Sequence, residues 1–111
     1  MHIHGYNFYL LKEGDGHWDG TILRPNNPTR RDVATVRPFG HLVLQFDNNN
    51  PGVWPFHCHT AWHAGGGFFA SLIALPERVM QYSIPNSVLQ TCRDWGTWTN
   101  THVPDQIDSG Q

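Results

Sequence analysis

"PFHCHTAWHAGGGF", residues 55–68, places His57, Cys58, His59 and His63 within seven positions and then runs into three glycines. Side chains two apart on a strand share a face, and adjacent ones oppose. If "FHCHT" is extended, His57 and His59 point one way and Cys58 the other. One short segment then serves two metal positions, a thiolate on one side and an imidazole pair on the other, joined by covalent bonds. Five residues separate Cys58 from His63, so a tight loop or a short helix would fold His63 back beside the sulfur. The glycines that follow let the backbone turn close to that site without side-chain bulk. A thiolate with imidazoles and a weak or absent axial partner is the ligand set of blue copper.

The chain opens "MHIHG", which repeats the spacing of two with His2 and His4. A single His-x-His pair on a polar strand face is common, and a cysteine beside a histidine can be a small buried hydrophobe. Zinc also takes Cys and His. A structural zinc site needs neither "HCH" followed by a further histidine nor a second His-x-His pair elsewhere, so the joint occurrence favours copper.

The surroundings are short β-rich runs punctuated by turns. "YNFYLLK" (6–12) reads as a strand, followed by the Gly/Asp turn segment "EGDGHWDG". "RPNNPTRR" reads as loop, and "RDVATVRP" carries a weak alternation. "HLVLQFD" (41–47) is a stronger strand with Leu42, Leu44 and Phe46 on one face. "NNNPG" is a turn. "VWPFHCH" is a further strand, in which Pro55 implies an edge position or a bulge. "FFASLIAL" (68–75) suits a strand buried on both sides. Strands at this spacing suggest a sandwich or barrel. Beyond Pro76, "PERVMQYSIPNSVLQTCRDWGTWTN" can hold one or two short helices, with the better periodicity in "SVLQTCRDW". "THVPDQIDSGQ" reads as an irregular tail.

The 111 residues make one domain or a piece of a larger one. Only 14% are charged, well under the usual quarter, and Gly and Pro are plentiful, which favours a turn-rich β protein. The formal net charge is −2 with no basic run, so nothing points to nucleic acid. No apolar run approaches a membrane span. The first residues lack the basic start and cleavage site of a signal peptide, which at face value says cytoplasm. Two cysteines, Cys58 and Cys92, are too few for a disulfide framework.

"MHIHG" and "HCHTAWH" followed by "AGGGF" resemble the C-terminal copper signatures of multicopper oxidases, most closely the fungal laccases; "NPTRRDV" and "TCRDW" are similar too. The first signature in that family is His-Pro-x-His-x-His-Gly, and Met1 falls at its variable position. The resemblance implies an all-β, cupredoxin-like Greek-key β-sandwich, incomplete at its N-terminus, with a short helical or irregular C-terminal tail. Residues 1–76 would be a partial plastocyanin-like copper-binding domain and 77–111 the tail. It implies copper as cofactor in type 1, type 2 and type 3 sites, all incomplete in this chain. His2 corresponds to a type 2 ligand, His4, His57 and His59 to type 3 ligands, and Cys58 and His63 to type 1 ligands. Phe68 falls at the axial position, where it cannot coordinate, implying a fairly high reduction potential. Cys58 and its flanking histidines would pass electrons from type 1 to trinuclear copper.

The family's first histidine would lie three residues before His2, and the trinuclear site takes eight histidines, of which this chain offers four. The expectation is therefore a truncated or fragmentary oxidase, with its parent extracellular. That parent would oxidise phenols one electron at a time and reduce dioxygen to water, and the isolated chain would turn over little or not at all. Its partners would be the phenol, dioxygen and the N-terminal cupredoxin domains of the same protein, the last through a possible disulfide at Cys92. For the chain alone, a buried free thiol is the better expectation for Cys92. The alternative is a stand-alone copper-binding or electron-transfer cupredoxin without turnover. His17 and His102 read as solvated, His41 as surface or packed, and none of the three as a ligand. Trp62 reads first as a packing residue, and Arg30, Arg31 and Asp32 as a structural ion-pair cluster.

Overall fold

The structure is a computed structural model that describes residues 1–102; the expected tail from Val103 onward lies outside the described residues. Six strands run in the order β1 (His2–Ile3), β2 (Phe8–Asp15), β3 (Thr29–Arg31), β4 (Gly40–Gln45), β5 (Gly52–His57) and β6 (Phe69–Ala74). Helix α1 (Ala61–Gly65) separates β5 from β6, and α2 (Pro76–Val79) and α3 (Asn86–Thr99) follow. The strands form two antiparallel three-stranded sheets, ordered β1-β5-β6 and β3-β2-β4. This is the expected all-β sandwich. Of the segment "RDVATVRP" only Arg31 lies in a strand, at the end of β3, and Val33 adds an isolated bridge to His2.

The two sheets face each other across Ile3, Phe8 and Ala34, with Tyr6, Leu42, Leu44, Phe46, Phe56 and Leu72 packed around them. Leu42, Leu44 and Phe46 share the core as their period of two predicted. Strand β2 reaches further into the Gly/Asp segment than its turn residues suggested and carries a bulge between Leu10 and Lys12, where Leu11 is the extra residue. Leu10, Leu11 and Lys12 are all buried there. The Lys12 ammonium is satisfied by Asp19 Oδ1 at 2.5 Å and the Thr21 hydroxyl at 2.7 Å, which ties down the loop after β2.

Pro55 lies on the middle strand of its sheet, neither at an edge nor on a bulge. The reason is local. Antiparallel partners exchange both backbone bonds. His4 N–H donates to the Pro55 carbonyl at 2.9 Å, and the return bond is the one proline cannot donate. Strand β1 ends just before that point, so Pro55 leaves no ladder bond broken.

The expectation of a doubly buried strand at "FFASLIAL" is corrected: β6 is an edge strand with only Ala74 buried. The register places Val53 opposite Ile73 and His57 opposite Phe69. Residues directly opposite share a face. The outer face of this sheet therefore carries exposed Val53 and Ile73 at one end and, at the other, the histidines of β1 and β5 with exposed Phe69 stacked on His57. An apolar cavity of about 220 Å³, lined by Ile3, Phe8, Leu44, Phe46, Phe56 and Leu72, remains between the sheets.

Helix α3 has no buried residue, and Val88, Leu89, Trp95 and Trp98 are exposed along it. The Cα radius of gyration is 17.6 Å. A compact chain of this length has about 13 Å. The helix thus stands off the sandwich, and Cys92 on it is exposed, contrary to the buried thiol expected for the chain alone.

Candidate metal centre

Strand pairing builds the site. His2 lies opposite His57 and Ile3 opposite Phe56, so burying Ile3 in the core turns His2 and His4 to the opposite face, onto His57. The ligating nitrogens of His2, His4 and His57 all lie within 4.8 Å of one another, and the Nε2 atoms of His4 and His57 are 3.2 Å apart. His59 closes the group: its ring centroid is 5.4 Å from that of His2 and 5.9 Å from that of His57.

Backbone carbonyls orient two of these rings. His2 Nδ1 is 2.9 Å from the Asp32 carbonyl and His57 Nδ1 is 2.9 Å from the Cys58 carbonyl. A carbonyl only accepts, so each ring donates from Nδ1, and of the two neutral tautomers this selects the one that leaves Nε2 available as a ligand. The Asp32 carbonyl also receives Ile3 N–H at 3.1 Å. Among the described residues no ion pair joins Arg30, Arg31 and Asp32: the Arg30 guanidinium sits 5.4 Å over the Tyr9 ring, and Asp32 serves through its backbone. That role left no signal in the sequence because any residue supplies a carbonyl.

Desolvation holds the His4 pKa below the usual value, and the charges of His2, His57 and His59 lower it further.

Cys58 faces the other side, as the alternation predicted. Helix α1 brings His63 back so that Cys58 Sγ lies 3.4 Å from His63 Nδ1. The Cys58 thiol is lowered to about 7, first by the backbone N–H of Thr60, then by the Thr60 hydroxyl and by His63. Thr60 went unnoticed in the sequence, where it is only the residue before the helix. Phe68 locks the loop through its backbone: Cys58 N–H donates to the Phe68 carbonyl at 3.1 Å, and Phe68 N–H to the His63 carbonyl at 3.0 Å. A cleft of about 510 Å³ opens here, bordered by Val36, Pro38, Cys58, His63 and Phe68. Of the three glycines, Gly67 is needed for its φ of +98° and not for close approach, since a Cβ there would meet nothing within 4 Å. Trp62 is 77% exposed, so its expected packing role is not realised in this chain.

His17 and His102 are exposed, and His102 stacks on Trp98 with ring centroids 4.6 Å apart. His41 is half-buried against the Gly16 carbonyl at 2.9 Å. None of the three belongs to the cluster.

A sandwich that gathers imidazoles on one side of a Cys-His pair is a copper-binding cupredoxin arrangement. The multicopper oxidase family profile matches residues 1–78. The chain belongs to the multicopper oxidase family. It is 38% identical to Laccase-1 of Botryotinia fuckeliana over 114 residues, covering 99% of this chain and 20% of that protein. It is 39% identical over 102 residues to the iron transport multicopper oxidase fetC of Epichloe festucae, covering 84% of this chain and 16% of that one. The laccase crystal structure from Botrytis aclada superposes with a TM-score of 0.79 at 28% identity, over 99% of this chain and 21% of that one. The chain thus spans about a fifth of the length of these relatives.

Proposed function

We propose that this chain is the C-terminal copper-binding part of a laccase-type oxidase that takes single electrons from phenols and reduces dioxygen to water. The observation that carries the reading is the placement of two soft donor groups on opposite sides of one tripeptide. His57 and His59 look into the histidine cluster, while Cys58 lies against His63.

The residues fit copper. The 3.2 Å between His4 Nε2 and His57 Nε2 suits two ligands sharing one ion, for which metal–nitrogen bonds of about 2.0–2.1 Å place donors a little over 3 Å apart. His2 would hold type 2 copper, and His4, His57 and His59 type 3 copper. Cys58 and His63 would hold type 1 copper, with Phe68 at its axial position. When bound, copper supplies the one-electron redox chemistry.

The protein's part is to place and tune. Thr60 and His63 favour the Cys58 thiolate. The Asp32 and Cys58 carbonyls hold His2 and His57 in the tautomer that offers Nε2. The bonds from Cys58 to His57 and His59 form one continuous path between the two sides, along which electrons would cross.

The apolar outer face beside the cluster is the surface the preceding cupredoxin domains would cover while adding the remaining histidines. Exposed Cys92 would make a disulfide to one of them. The parent would act outside the cell. Among the described residues no helix is long and apolar enough to cross a membrane. Membership of a family of oxidases disfavours a stand-alone electron-transfer cupredoxin.

The test is oxygen uptake with a phenolic donor by the longest protein product carrying this sequence. Copper-dependent uptake that disappears in Cys58→Ser supports the reading. Uptake unchanged by Cys58→Ser contradicts it.

A further inference from the structure

The pleat puts Trp54 on the inner face of its sheet, two residues from Gly52 on the same strand. Continuing the β1–β5 register one step past His4 and Pro55 sets Gly5 beside it across the strands. Two of the inner-face neighbours of this indole, beside Phe56 and Leu72, are therefore glycines, and the space over both is filled by it. A Cβ on Gly5 would lie 2.3 Å from Trp54 Cδ2, and one on Gly52 would lie 2.4 Å from Trp54 Cε2. Neither approach is possible for any residue but glycine without displacing the ring.

The indole is fastened as well as seated. Its Nε1–H donates to the Asn50 carbonyl at 2.9 Å. The Tyr6 hydroxyl donates to the same carbonyl at 2.7 Å, and Asn50 Nδ2–H donates to the Gly5 carbonyl at 2.9 Å. Tyr6 meets the indole edge-on at 6.3 Å. The turn that begins at Gly5, with φ +73°, is thereby clamped to the "NNNPG" loop. His4 is the residue just before this clamp, and its N–H donates to the Pro55 carbonyl at 2.9 Å. Its side chain points to the opposite face, toward His57.

We infer that Trp54 is a positioning residue for His4: seated on Gly5 and Gly52, it fixes where the chain turns after His4 and so sets the His4–His57 approach. This rests on the reading of the histidines as ligands for its functional meaning, though not for its geometry. Trp54 touches neither ring of the pair; it acts through the Gly5 backbone.

The test is nuclear magnetic resonance of the metal-free 111-residue chain, so that it does not depend on copper. In the unsubstituted chain the His4 and His57 rings, with centroids 5.3 Å apart, give a cross-relaxation peak. Gly52 has no positive φ, so Gly52→Ala acts only by pushing the indole. We expect that peak to be lost in Gly52→Ala while the peak between His57 and Phe69 persists, because that pair is held by β5–β6 alone. Trp54→Phe, which overfills nothing, should weaken the same peak. The double variant Gly52→Ala/Trp54→Phe should regain part of it, because the smaller ring admits the methyl. A His4–His57 peak unchanged in both single variants would overturn the inference. Equal loss of both peaks in both single variants would also overturn it, by making Trp54 a general core residue. Copper titration of the unsubstituted chain separately tests the metal reading.

Discussion

Ile3→Ala should damage the fold and the metal centre together. Ile3 is the only core residue of the two-residue strand β1, and it is 3% exposed. Its neighbours on either side are His2 and His4. The change removes three carbons, worth about 2.4 kcal/mol at about 0.8 kcal/mol each. A vacated volume of about 60 Å³ adds about 1.4 kcal/mol if nothing collapses, at about 24 cal/mol per Å³. Collapse is limited, because Phe8, Leu44, Phe56 and Leu72 already leave a cavity of about 220 Å³ beside Ile3. The expected loss is therefore between about 2.4 and about 4 kcal/mol. Small domains have roughly 5–15 kcal/mol in all. Urea unfolding followed by tryptophan fluorescence measures the loss directly, with Ile3→Val as a control expected to cost about 1 kcal/mol. Copper affinity should fall in the alanine variant and hold in the valine variant. A cost below about 1 kcal/mol for Ile3→Ala, with affinity unchanged, would refute the claim that this one side chain anchors both histidines.

Two further outcomes concern titration. In the metal-free chain the alkylation rate at Cys58 should rise with a midpoint at about pH 7, since the thiolate is the nucleophile. Thr60→Pro is compatible with the Thr60 φ of −77° and deletes the donating N–H, so it should move that midpoint upward, read by mass spectrometry of the labelled peptide. His4 has its pKa lowered in the folded chain, so the unfolded chain takes up the proton first as pH falls. Stability should therefore be held above the unfolded pKa of about 6.5 and decline below it, and His4→Gln should flatten that decline in urea midpoints measured from pH 8 to 5.

The site was legible because its signal is local. The period of two in "HCH" and "HIH" dictates which side chains share a face, and the Cys58-to-His63 spacing required the turn that α1 makes. The sandwich followed from Leu42 and Leu44 on β4, with Phe46 just beyond it, for the same reason. What escaped depends on partners remote in sequence. Nothing in "FFASLIAL" says that its strand lies at a sheet edge, because edges are set by which strands come to pair. Pro55 was misplaced because its tolerance depends on where β1 stops. Asp32 and Thr60 act through backbone groups, which carry no residue-type signature. Trp62 and Cys92 are exposed for want of anything in the described chain to cover them.

The most direct test of the account is a copper(II) titration of the 111-residue chain followed by electron paramagnetic resonance. The account predicts bound copper with hyperfine coupling to imidazole nitrogens. That signal should be lost in His4→Ala and in His57→Ala and kept in His17→Ala and His102→Ala. Copper that fails to bind, or a signal indifferent to His4 and His57, would contradict it.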